Sequence, residues 1–97
     1  MLEYLIRSSD GDWFDFSRHS YPGVLKPIRT PSRQIEGWGD NRIAVDGEEV
    51  AFSYEDPGIQ VSFETGRLTE EQADQIVAEV CENIEAMTGQ KTRVVRL

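Results

Sequence analysis

The chain has 97 residues, of which 38% are hydrophobic and 9% aromatic, and a formal net charge of −8. That length predicts one domain, residues 1–97, around one modest core, with enough apolar content to exclude disorder over most of the sequence. Eighteen acids against ten bases exclude nucleic acid as the expected ligand, since phosphate neutralisation needs clustered Lys and Arg, and no apolar run approaches the roughly 20 residues of a membrane span.

The opening residues Met1 to Arg7 carry neither a basic start nor a long apolar stretch, so no secretory signal is expected. Leu2, Tyr4 and Ile6 recur at every second position, with Glu3 and Arg7 among their neighbours, and predict a strand over 2–7. Residues 8–41 hold Pro22, Pro27, Pro31 and four glycines without a sustained period. Compact domains rarely leave so long a stretch without structure. At least one hairpin is therefore expected there, with Asp12–Ser17 and Ile35–Trp38 as candidate short strands.

The second half is more regular. Residues 42–64 predict a meander: a strand from Arg42, an Asp46-Gly47 turn of type I′, a strand over Glu48–Tyr54, a turn at Asp56-Pro57-Gly58, and a strand over Ile59–Glu64. Val50, Phe52 and Tyr54, then Ile59, Val61 and Phe63, alternate with smaller or polar residues, so the sheet has one dry face and one wet face. A helix is predicted over 69–88. Thr69 and Gln72 form a capping box, Gly89 is the stop, and Ala73, Ile76, Val77, Val80, Cys81, Ile84 and Met87 make one apolar stripe. Residues 92–97 predict a final strand with Val95 and Leu97 on one side. A helical crossover would run it parallel to Ile59–Glu64. The expected fold is α+β, a two-layer sandwich of one amphipathic helix on a mostly antiparallel sheet.

Charge is unevenly placed. Residues 1–45 balance six bases with six acids, whereas residues 46–97 hold four bases and twelve acids. Six of those acids, Glu70, Glu71, Asp74, Glu79, Glu82 and Glu85, lie on the predicted helix, with no Lys or Arg between Thr69 and Gly89. Glu82 and Glu85 oppose the helix dipole, and several acids repel one another at i, i+3. Such choices oppose stability, as surfaces used for binding often do. Glu71, Asp74, Glu79, Glu82 and Glu85 are therefore candidate contacts for a basic partner, the alternative being a solvated face. Replacing Glu82 and Glu85 together with Lys is expected to leave the fold intact.

A second candidate surface is Trp13, Phe16, His19, Tyr21 and Trp38, interleaved with Arg18, Arg29 and Arg33. Aromatics with arginines suit a partner or a small ligand, but in a small domain they also close a core beneath a loop. No enzyme chemistry is expected. His19 is the only histidine, and Cys81, the only cysteine, falls on the buried stripe as an inert thiol. A lone cysteine also fits a cytoplasmic location. Asp10-Gly11-Asp12 lacks the later glycine and glutamate of a calcium loop, so a turn is expected and no metal or other cofactor. Small size, an acidic helix and the lack of a catalytic motif make the chain similar in kind to bacterial immunity proteins and antitoxins. Some of those, such as the barstar-like inhibitors, offer an acidic helix to the basic cleft of a nuclease. That likeness implies a binding protein for a basic toxin or nuclease, and it rests on physics rather than a shared motif.

Overall fold

A computed structural model describes residues 1–55 and 58–97. Six strands form one open sheet: β1 (Leu2–Ser8), β2 (Arg33–Gln34), β3 (Asn41–Val45), β4 (Glu48–Glu55), β5 (Gly58–Phe63) and β6 (Thr92–Arg96). Their order across the sheet is β2-β3-β4-β5-β1-β6, and every neighbouring pair is antiparallel. The long helix α2 (Glu70–Thr88) packs on one face, and the short helix α1 (Tyr21–Val24) follows a 3-10 turn at Arg18–Ser20. The fold is α+β, as the sequence predicts. No described helix is long and apolar enough to cross a membrane.

The meander forms where alternation and turn chemistry agree. Asp46 and Gly47 both have positive φ, 48° and 80°, the pair of angles a type I′ hairpin requires. The next expected turn lies partly outside the described residues, since only its Gly58 is among them. Val50 pairs with Phe63, Phe52 with Val61 and Tyr54 with Ile59, so the large side chains of β4 and β5 share the α2 face. β6 runs in the direction of β5, as a helical crossover demands, but is not its neighbour. β1 sits between them, pairing Ile6 with Ile59 on one side and with Val94 on the other.

The side chain of Thr69 accepts from the Gln72 backbone, the Gln72 side chain accepts from Thr69 N–H, and Gly89 ends α2 in the left-handed conformation. Ala73, Ile76, Val77, Val80, Cys81 and Ile84 are buried in one cluster with Tyr4, Ile6, Val50, Phe52, Val61 and Phe63. Met87 does not join them. It is 55% exposed, because the packing stops at Ile84, one turn before the helix does.

Residues 9–40 are largely irregular. Neither Asp12–Ser17 nor Ile35–Trp38 is a strand. No hairpin closes within residues 8–41; instead Arg33 and Gln34 pair with Ala44 and Ile43 of β3 and add a two-residue edge to the meander. The outer face of the sheet is not uniformly wet either. Arg42 lies buried there, its guanidinium reaching Glu49 at 2.7 Å and Glu64 at 2.5 Å, with Trp38 over it at 5.7 Å. The small Ala51 is paired with Arg42 in the register and leaves room for that side chain to reach toward β5.

Val80 has no solvent exposure. Val80→Asp would place an unpaired charge in the centre of the core, a loss of about 3–5 kcal/mol or more on the scale of broken buried pairs. The expected outcome is loss of the cooperative thermal transition by circular dichroism. A folded, soluble variant with an unchanged spectrum would contradict this packing.

Candidate functional site

Glu70, Glu71, Asp74 and Glu82 of α2 are exposed as a helical wheel predicts, with Glu85 half-buried and one exception, but most of these acids are already engaged within the molecule. The exception is Glu79, expected among the partner contacts. It is only 2% exposed, because residues 24–30 fold across its flank of the helix. Its carboxylate accepts from Arg29 N–H at 2.7 Å, Thr30 N–H at 2.8 Å, the Thr30 hydroxyl at 2.8 Å and the Gln75 amide at 3.0 Å. Burial alone would raise its carboxyl. The bonds from Gln75, Thr30 and Arg29 outweigh burial and hold it at about 2. Glu79 thus ties a loop down and is removed from the exposed face.

Three neighbours hold other segments. Glu82 makes a two-point pair with Arg29, at 2.7 and 3.3 Å. Glu85 accepts from both the backbone N–H and the hydroxyl of Thr92 at 2.8 Å, and these bonds hold its carboxyl below the usual range. Asp74 accepts from the Tyr4 hydroxyl at 2.6 Å; burial first, and then this bond, push the Tyr4 hydroxyl up to about 12. Glu70 pairs with Arg96 at 2.6 Å, so among the described residues only Glu71 on this helix has no hydrogen-bond or ion-pair partner. Replacing Glu82 and Glu85 with Lys is therefore not neutral for the fold. One Lys would face Arg29 and the other would release Thr92.

Glu82 and Glu70 are paired with cations. The partners of Asp74, Glu79 and Glu85 are neutral hydroxyl, amide and backbone groups, which satisfy the oxygens without cancelling the charge. Together with Glu71 they leave one side of α2 negative, and the last turn of the helix contributes no basic residue.

The aromatic set divides. Tyr21 is buried and Phe16 half-buried, and both pack with Phe14 and Tyr54 in the core-closing cluster. His19 is exposed on the 3-10 turn. Trp13 and Trp38 are each 56% exposed, at different places. Trp13 stacks on Tyr54 with ring centroids 5.2 Å apart, while Trp38 covers Arg42. The Trp13 loop is fastened by hydrogen bonds. The Gln90 side chain donates to the Trp13 carbonyl and accepts from Asp15 N–H, and the Tyr54 hydroxyl both accepts from Phe14 N–H and donates to its carbonyl.

Sequence reasoning missed two groups. Glu48 is buried at the start of β4 and accepts from the backbone N–H groups of Thr65, Arg67 and Leu68 and from the Thr65 hydroxyl. Burial opposes its ionisation, but the bonds from Thr65, Leu68 and Arg67 prevail and lower its carboxyl. Its place as the first residue after a hairpin turn carried no sign of that task. The other is an open cleft of about 600 Å³ lined by Pro31, Arg33, Ile35, Glu36, Ala44 and Glu49, formed by the unpredicted β2. Among the described residues no three His, Cys, Asp or Glu side chains are placed to hold a metal ion. Burial pushes the Cys81 thiol up to about 11. No family model, curated protein or solved structure matches the chain.

Two outcomes follow. Cys81 is expected to react with a thiol reagent only as fast as the protein unfolds, so rapid labelling of native protein would contradict its burial. The low carboxyl of Glu79 gives stability that is full above its ordinary value of 4.5 and is lost as pH falls toward about 2. Glu48 and Glu85 act in the same direction. Glu79→Gln is expected to lower stability at neutral pH by about 1–3 kcal/mol, by weakening acceptors for buried donors. It should also flatten the acid dependence below pH 4.5. Denaturant titrations of both proteins at neutral pH and at pH near 3 measure each effect.

Proposed function

We propose that this chain is a non-enzymatic, cytoplasmic binding protein that captures a basic protein partner, in the manner of an immunity or inhibitor protein acting on a basic toxin or nuclease. The observation that supports this most is the residual charge of α2, where Glu71, Asp74, Glu79 and Glu85 have no cation paired with them among the described residues. A field of that kind acts on encounter. It raises the association rate and selects against acidic partners more than it sets affinity. Close contact then falls to Glu71, whose side chain is exposed and uncommitted, with Glu82 and Glu70 able to exchange their internal cation for one from the partner.

A second reading places the contact at Trp13. An exposed Trp stacked on Tyr54, in a loop fixed by Gln90, is an anchor already in its bound geometry, and preorganisation lowers the entropy lost on binding.

The test uses Glu71→Lys, which breaks no internal bond, and a basic toxin encoded beside the gene. The wild-type association rate should fall as salt rises past ~0.15 M, where screening acts within about 8 Å. Glu71→Lys should associate several-fold more slowly at low salt with little change in dissociation. Equal association rates for the two proteins would sink the helix reading. A faster dissociation of Trp13→Ala under the same conditions would move the contact to the aromatic loop.

A further inference from the structure

The two edges of the sheet are unlike. β2 is two residues long, too short to template another strand, whereas β6 presents five residues on an open edge. Leu97 N–H donates to the Glu3 carbonyl, and Ser9 N–H donates to the Lys91 carbonyl. In the observed register the odd residues of β6 therefore turn their backbone groups to β1, and Thr92, Val94 and Arg96 turn theirs to the free edge. Thr92 N–H is already taken by the Glu85 carboxylate, which fills the space an opposing strand would need there. Among the described residues Val94 and Arg96 keep unpaired N–H and C=O groups along that edge.

We propose that two copies of this chain pair antiparallel through β6, with Val95 opposite its counterpart, so that one sheet continues into the other. In this register Val94 of each copy faces Arg96 of the other, and the pair makes four backbone hydrogen bonds using only the free groups. Side chains agree with it. Val95 and Leu97 lie on the outer face beside Leu5, and Val94, 46% exposed, lies on the other. Arg93 meets Leu97 and Arg96 meets Val94, so no like charges are directly opposed. The location also suits a chain of charge −8, because β6 and its approach carry Lys91, Arg93 and Arg96, three of the four bases in residues 46–97. Self-repulsion between two acidic molecules is lowered there. This association is independent of the basic partner proposed above.

The register fixes the test. Val95 and its counterpart form a non-hydrogen-bonded pair with Cα atoms about 4.5 Å apart, inside the roughly 4.4–6.8 Å that a disulfide spans. Val95→Cys should cross-link to a dimer on mild oxidation, whereas Val94→Cys, which faces Arg96, should not; the native Cys81 is buried and does not compete. Wild-type protein should sediment at twice its 11.0 kDa mass as concentration is raised. Val94→Pro should remain monomeric with an unchanged circular dichroism spectrum, since the N–H it removes points away from β1. A wild-type protein that stays at 11.0 kDa throughout, or equal cross-linking of the two cysteine variants, would overturn the proposal. If Val94→Pro fails to fold, the cysteine pair and the wild-type mass still decide.

Discussion

A buried backbone N–H must find an acceptor, and much of residues 9–40 has no ladder to supply one. Side-chain carboxylates take that place. Glu79 serves Arg29 and Thr30, and Glu48 serves Thr65, Arg67 and Leu68 at the approach to α2. With Glu79 in position, loop 25–30 can lie against the helix and Leu25 can enter the core. Asn83 completes the attachment by donating to the carbonyls of Gly23 and Val24. α2 is therefore both a hydrophobic cover for the sheet and the scaffold on which irregular chain is fastened.

That double role explains a helix that opposes its own dipole. Asp74 receives Tyr4, Glu85 receives Thr92, and Glu82 receives Arg29. A Lys at any of these positions would relieve local repulsion and lose a tertiary contact. Part of the acid excess thus has a structural cause. A reduced negative field persists, because neutral donors leave the charge in place while Arg29, Lys91 and Arg96 nearby offset only part of it.

Legibility in the sequence followed the range of the interactions. The Asp46-Gly47 turn, the alternation of β4 and β5, and the caps of α2 are each decided within a few residues, and all were readable. β2 has two residues and no period, and its partner β3 alone defines it. The shortage of cations on α2 was also readable, but its internal purpose was not. Glu79 meets donors 49 and 50 positions away, and Glu48 meets donors 17 to 20 positions on. Helical spacing places Glu79 beside the stripe, and only the non-periodic loop above it decides that it is buried.

The position of β1 governs how the chain can fold. The strand nearest the start of the sequence lies between β5 and β6, so its ladders join Tyr4 to Val61 and to Arg96. The meander can form early from neighbours in sequence, and α2 can collapse on it, but the slot beside β5 stays open until β1 arrives. Closing so long a loop before any contact rewards it slows the search. During synthesis β1 leaves the ribosome before the other five strands and waits for partners made much later. In that interval the unpaired edges of β1 and β5 are the surfaces a chaperone would need to shield.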